Sequence, residues 1–179
     1  MTRDADFYSR PVEIWALGNK GYGTSSNRQV SAVAFIGDSS DLPDNEVGYL
    51  LADKITTDYF EECQEDYEQL HARFGDAPIY GVTNVNLDGP LRRRGIGREL
   101  YARTGEAAAG ETGAYLVADR CSGGGTTSDA LRVWASLARD YAVVGQVAYF
   151  PPPNAVRRKP VPQRGKPVLL SDFIKGKKR

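Results

Sequence analysis

Ile79-Tyr80-Gly81-Val82-Thr83-Asn84-Val85-Asn86-Leu87-Asp88-Gly89-Pro90-Leu91-Arg92-Arg93-Arg94-Gly95-Ile96-Gly97-Arg98-Glu99-Leu100-Tyr101-Ala102-Arg103 is the stretch that decides the fold. Its first nine residues are apolar and rich in β-formers, so they predict a strand. From about Gly95 to Ala109 the residues predict a helix. Between the two lies a basic turn carrying glycines. A strand, such a turn and a helix start together make an anion site. The unpaired N–H groups of a first helical turn point outward, and the helix dipole adds partial positive charge. Glycine at 95 and 97 lets a phosphate approach the backbone where a Cβ would stand in the way.

Working outward, three strands are expected upstream: Val12–Leu17, Val30–Ile36 and Glu46–Ala52, an antiparallel N-terminal meander. The run 18–28, rich in Gly, Ser and Asn, reads as a loop, and Tyr22 within it could cover a pocket. Asp58 to Phe74 reads as a helix with Phe60, Cys63, Tyr67, Leu70 and Phe74 on one face and a solvated acidic face opposite. Downstream come a buried strand, Ala114–Asp119, a helix from Ser128 through Arg139 behind the N-cap series Thr126–Asp129, and a strand over 142–150 bent at Gly145. The order β-β-β-α-β-α-β-α-β predicts a mixed α/β sheet with a crossover helix carrying the anion turn.

The 179 residues, 41% of them apolar, suit one domain with a proper core, here expected over 1–150. Residues 151–179 form a basic, Pro-containing tail with nine Lys/Arg against Asp172, and Val168–Leu170 reads as a short final strand. The other 150 residues hold 14 basic and 22 acidic side chains, so zero net charge conceals a body at −8 and a tail at +8. Such a tail suits a nucleic-acid contact, an acidic partner, or folding back on the acidic body. No run of about 18 apolar residues exists, so no membrane helix is expected, and the first residues lack a secretory core. A cytoplasmic location follows as the expectation. Cys63 and Cys121 read as free thiols, and a single histidine, His71, with no paired cysteine motif argues against a zinc site.

Two phosphate-binding patterns fail. No Gly-x-x-x-x-Gly-Lys-Ser/Thr string is present, which excludes a P-loop. Gly95-Ile96-Gly97 is followed by Leu100 rather than Gly, which excludes a dinucleotide fingerprint. A third pattern fits. Arg92-x-x-Gly95-x-Gly97, after a strand and opening a helix, resembles the Arg/Gln-x-x-Gly-x-Gly/Ala signature of the GNAT superfamily, the Gcn5-related N-acetyltransferases. The strand, helix and strand after it agree with that order, so the resemblance covers residues 79–150 well and the meander loosely. The pattern Asp119-Arg120 … Ala130 … Val133-Trp134 is also similar to GNAT-like proteins carried by phages and mobile elements.

The resemblance implies an acyltransferase that moves an acetyl group from acetyl-CoA directly to a primary amine of a small molecule or protein. It places the diphosphate on the amides of Arg93, Arg94, Gly95, Ile96 and Gly97, with Arg92 to Arg94 adding charge and Arg98 opening the helix beside them. Asn86 and Leu87 would pair with the pantetheine arm as an added strand. Tyr80, Asn84 and Trp134 would line the acceptor side. The chain departs from the family at Trp134, which stands where an Asn-x-x-Ala-x-x-x-Tyr pattern puts the tyrosine that protonates the departing thiolate. An indole N–H is no general acid. Three explanations compete: protonation by water or a tyrosine such as Tyr141; a role for Ser122 or Ser128; or a GNAT shape that acetylates nothing. The strand before the turn offers no carboxylate, which leaves Asp119 as the charged candidate for orienting or deprotonating the amine. Alternatives to acetyl transfer are an inactive CoA-binding module and a DNA-modifying or DNA-binding GNAT-like protein of the phage Mom type. Dimerisation through a sheet edge is a further expectation.

Overall fold

The computed structural model describes residues 3–17, 29–38, 41, 44–55, 68, 71–72, 75–110, 112–118 and 126–152. The loop around Tyr22, most of the 58–74 helix, the run 119–122 with Asp119 and Ser122, and the tail beyond 152 lie outside them. One sheet organises the rest. Seven strands run in chain order as β1 (Val12–Ala16), β2 (Gln29–Ile36), β3 (Glu46–Lys54), β4 (Ile79–Leu87), β5 (Ala114–Ala118), β6 (Ala142–Val144) and β7 (Val147–Phe150). Across the sheet the order is β1-β2-β3-β4-β5-β7-β6. The pairs β1/β2 and β2/β3 are antiparallel, as the meander required; β3/β4 is antiparallel as well, and β4/β5 is parallel. The parallel pair is joined by α1 (Ile96–Ala109), and α2 (Ser128–Leu137) follows β5. The mixed α/β class expected from the sequence is the one observed.

Every residue of β2 is buried, because it is paired on both edges and α1 crosses one face. Helix α1 seats Ile96, Leu100, Tyr101, Thr104, Gly105 and Ala109 on the sheet, a stripe at three- and four-residue spacing. Gly105 is there because a Cβ would fall 2.3 Å from the Phe150 ring. Helix α2 starts at the expected cap: the Thr127 side-chain oxygen accepts from the Ala130 N–H at 3.3 Å.

One expected element is two. The strand foreseen over 142–150 folds back on itself, with Val144 opposite Val147 across a turn at Gly145 and Gln146. Gly145 has φ 59°. A glycine with positive φ opening a two-residue turn is a hairpin signal rather than a bend. It is β7 that pairs with β5, which places β6 at the sheet edge.

Candidate functional site

Strand β4 supplies the first half of the site. Its first four residues pair with β5, ending at Val82 opposite Ala118. On the other edge the ladder with β3 slips where the pairing parts: Leu51 faces Asn84 while Ala52 faces Val82, leaving Thr83 as an extra residue. A bulge of this kind bends its strand. Residues 83–86 are exposed, and among the described residues the pairing of β4 with β5 ends at Val82.

The bulge also reverses which side chains face α1. Tyr80 and Val82 pack in the main core, and beyond Thr83 it is Leu87 that does so. Strict alternation puts Tyr80, Asn84 and Asn86 on one face, and the extra residue breaks that pattern. Tyr80 is therefore a core residue, 7% exposed, whose phenol is pushed up by burial, and not a pocket wall. Asn84 is exposed but does not line the cleft. Asn86 and Leu87 do line it, together with Val85, which is 40% exposed.

The turn supplies the second half. Residues 92–95 are exposed. Gly95 sits at the N-cap with φ 87°, a left-handed conformation that glycine takes freely, and no side chain caps the helix. Arg93 also has positive φ, 61°. The Arg92 N–H bonds to the Gly89 carbonyl at 3.1 Å and the Glu99 N–H to the Gly95 carbonyl at 3.1 Å. Among the described residues, no acceptor faces the amides of Arg93 to Arg98 between them. The turn is thus a row of outward, unpaired donors at the positive end of a 14-residue helix.

Side chains shape the rim. Arg92 Nε donates to the Leu87 carbonyl at 3.1 Å, tying the turn to the end of β4. Arg94 Nη1 donates to the Tyr8 carbonyl at 3.3 Å. Arg98 pairs with Asp140 and Arg132 with Asp129. Arg93 is exposed with no side-chain partner among the described residues. The segment 3–9, which the sequence did not point to, crosses one side of the cleft. Tyr8 Oη and Arg3 Nη1 both donate to Asp88 Oδ2, each at 2.8 Å.

These parts enclose a cleft of about 1390 Å³, walled by the end of β4, the turn, the start of α1, residues 5–9 and one face of α2. Asn86, Leu87, Arg92, Arg93, Arg94, Gly95, Gly97 and Arg98 line it. Ile96 instead turns its side chain into the core, 1% exposed, so only its backbone serves the site. A Cβ on Gly97 would meet Val133 Cγ2 at 3.7 Å, so this position has room for alanine.

Two aromatic expectations change. Trp134 is 1% exposed, so it is core rather than pocket wall, and its indole N–H is sealed off with no acceptor among the described residues. Tyr141 donates to Glu106 and packs on Phe150, ring centroids 4.4 Å apart, away from the cleft. Tyr101, on α1, is another cleft residue that the sequence reading missed. It lies one helical turn beyond Gly97 and so on the same face, which was the available signal. It is 3% exposed and forms the floor. Burial pushes its phenol up to about 12.

Among the described residues no cluster of three His, Cys, Asp or Glu side chains is placed to hold a metal. No helix among them is long and apolar enough to cross a membrane. No family model matches the chain, and no curated protein matches it. Among solved structures it is similar to Arabidopsis thaliana NAA60 in complex with a bisubstrate analogue, at 16% identity, with 69% of this chain and 75% of that chain covered and a TM-score of 0.42. The same protein in complex with acetyl-CoA gives 16%, 69%, 76% and 0.41. Likeness at this level gives no ligand or activity to this chain and bears on no phage or mobile-element origin.

Proposed function

We propose that the chain is an acyl-CoA-dependent N-acyltransferase that uses acetyl-CoA and a primary amine. The observation that carries this is the run of amides at 93–98 that have no acceptor among the described residues. A diphosphate fits those amides: they lack internal acceptors, Gly95 presents no Cβ, and Arg93 is an unengaged cation at the rim. A pantetheine arm fits along the exposed end of β4, where Asn86 and Leu87 line the cleft and Val85 offers apolar surface.

Acetyl-CoA, when bound, supplies an acetyl group activated as a thioester. The protein's part is placement. Diphosphate and arm held along two rigid elements fix the thioester for attack by the amine. Backbone N–H groups beyond the bulge polarise its carbonyl. Asp119 stays a proposal for orienting or deprotonating the amine and Ser122 for protonating the thiolate, both outside the described residues. Trp134 supports a second reading, a CoA-binding module without turnover, because its sealed N–H gives α2 no donor.

Thermal shift with acetyl-CoA, CoA and ATP tests the assignment. Ligand at 100 times Kd stabilises by about 2.7 kcal/mol, an easily read rise in Tm. The rise is expected with both CoA species and not with ATP; no rise with CoA ends the proposal. Thiol release over a panel of amines then separates enzyme from module.

A further inference from the structure

Asp129, Asp140 and Asp88 stand in or beside the cleft, and each is met by an arginine. Asp129, in the cleft lining, pairs with Arg132, and Asp140 pairs with Arg98. Asp88 pairs with Arg3, 85 residues away in the chain, Nη1 to Oδ2 at 2.8 Å. Its setting is different. The Asp88 side chain is 27% exposed, against 55% for Asp129 and 56% for Asp140, so water and salt screen its charge least. The 3₁₀ turn Gly89–Leu91 holds it directly before Arg92. At about 2 Å of rise per residue, that turn is shorter than a screening length of about 10 Å at 0.1 M salt. An anion on the amides of 93–98 therefore feels Asp88 unless a cation offsets it. Arg3 is fixed in place to do so. Its Nη2 donates to the Asp44 carbonyl at 2.6 Å, and its guanidinium lies 5.0 Å from the Phe7 ring centroid. Asp4 and Asp6, on the same segment, are exposed to solvent and weigh less.

We propose that Arg3 is a positioning residue of the anion site, cancelling the charge of Asp88 that would otherwise oppose a bound diphosphate. This role rests on the CoA reading and deepens how that same site holds its ligand. Asp88 belongs to the scaffold of the turn: its N–H donates to the Val47 carbonyl at 2.9 Å, and its carbonyl accepts from the Leu91 N–H at 3.0 Å. The carboxylate therefore stays beside the site, and the compensating charge has to be brought to it. The N-terminal segment, which walls the cleft through Ala5, Tyr8 and Ser9, brings it. Tyr8 ties that segment to both partners, donating to Asp88 from its hydroxyl and accepting from Arg94 at its carbonyl. Arg3 is not among the residues lining the cleft, so it acts on the ligand through Asp88 and not by contact.

Arg3→Met removes the charge and keeps much of the side chain's volume. Arg3→Lys keeps the charge, and adding Asp88→Asn to Arg3→Met removes the carboxylate left behind. Titration calorimetry with CoA at low and high ionic strength, with thermal melts of the free proteins, compares all three with wild type. Arg3→Met should weaken CoA about tenfold at low salt and about threefold or less at high salt. Arg3→Lys and the double variant should each bind within about threefold of wild type. A double variant as weak as Arg3→Met overturns the proposal, because lost packing of the N-terminal segment then explains the effect. Unchanged affinity in Arg3→Met, or a loss that salt does not reduce, overturns it too while leaving CoA binding by wild type intact. Should Arg3→Met fail to fold, Asp88→Asn alone decides: CoA bound at least as tightly as by wild type supports the charge role, and weaker binding overturns it. Failure of wild type to bind CoA removes the acyltransferase reading and this role with it.

Discussion

Tyr101 and Trp134 meet edge to face across the α1–α2 interface, their ring centroids 5.2 Å apart, with one residue open to the cleft and the other sealed in the core. The pair divides the labour between two helices. Trp134 supplies volume and a rigid edge, and its N–H does nothing that another ring could not omit.

Trp134→Phe should therefore retain CoA binding and lose only modest stability, because the deleted N–H has no acceptor among the described residues. Trp134→Ala should cost about 3–5 kcal/mol through the cavity it leaves. Denaturant midpoints measure both. A phenylalanine variant as unstable as the alanine variant would show that the indole nitrogen is bonded after all.

The two glycines of the turn should respond differently to the same methyl group. Gly95→Ala forces a side chain into left-handed backbone at φ 87°, a cost of about 1–2 kcal/mol, and sets a Cβ among the anion-binding amides. Gly97→Ala adds its methyl at ordinary contact distance from Val133. Loss of Tm and of CoA-induced stabilisation is expected for Gly95→Ala alone. Equal behaviour of the two variants would contradict the geometry of the turn.

The segment 79–109 was legible because each of its signals is local. Strand β4 and the end of α1 fall where composition and glycines placed them. What escaped depends on pairing between strands or on distant chain. The Thr83 bulge is visible only against β3, and without it Tyr80 and Asn84 appear on the wrong face. The Gly145 hairpin was masked because a bent strand and a two-residue turn share one glycine. Tyr8 reaches Asp88 across 80 residues, a contact that no spacing rule announces.

Alkaline pH should unfold the protein through its buried phenols. The folded pKa of Tyr101 is raised from 10.0 to about 12 by burial, so its contribution is complete below pH 10 and lost as pH climbs toward 12. Two pH units correspond to about 2.7 kcal/mol for this residue. Tyr115 shifts in the same direction, through burial and then Tyr149. Stability by denaturant melts should hold up to pH 10 and fall between 10 and 12, with tyrosinate absorbance appearing late. In Tyr101→Phe the fall should be shallower. An identical slope in the variant would mean that Tyr101 ionises freely in the folded state.

Arg93 combines two properties that a single substitution separates. Its left-handed backbone is one that glycine adopts without strain, while its guanidinium is an unengaged cation beside the free amides. Arg93→Gly relieves strain of about 1–2 kcal/mol but adds freedom to the unfolded chain worth about 0.5–1 kcal/mol, so stability should change by less than about 1 kcal/mol. The lost charge should weaken CoA by about tenfold, or 1.4 kcal/mol. Because the contact is exposed, this difference should shrink as salt rises. Titration calorimetry at low and high ionic strength, with thermal melts of the free proteins, reads both quantities. Destabilisation without loss of affinity would assign Arg93 to the fold, and a salt-independent loss would place the ligand's charge somewhere other than this turn.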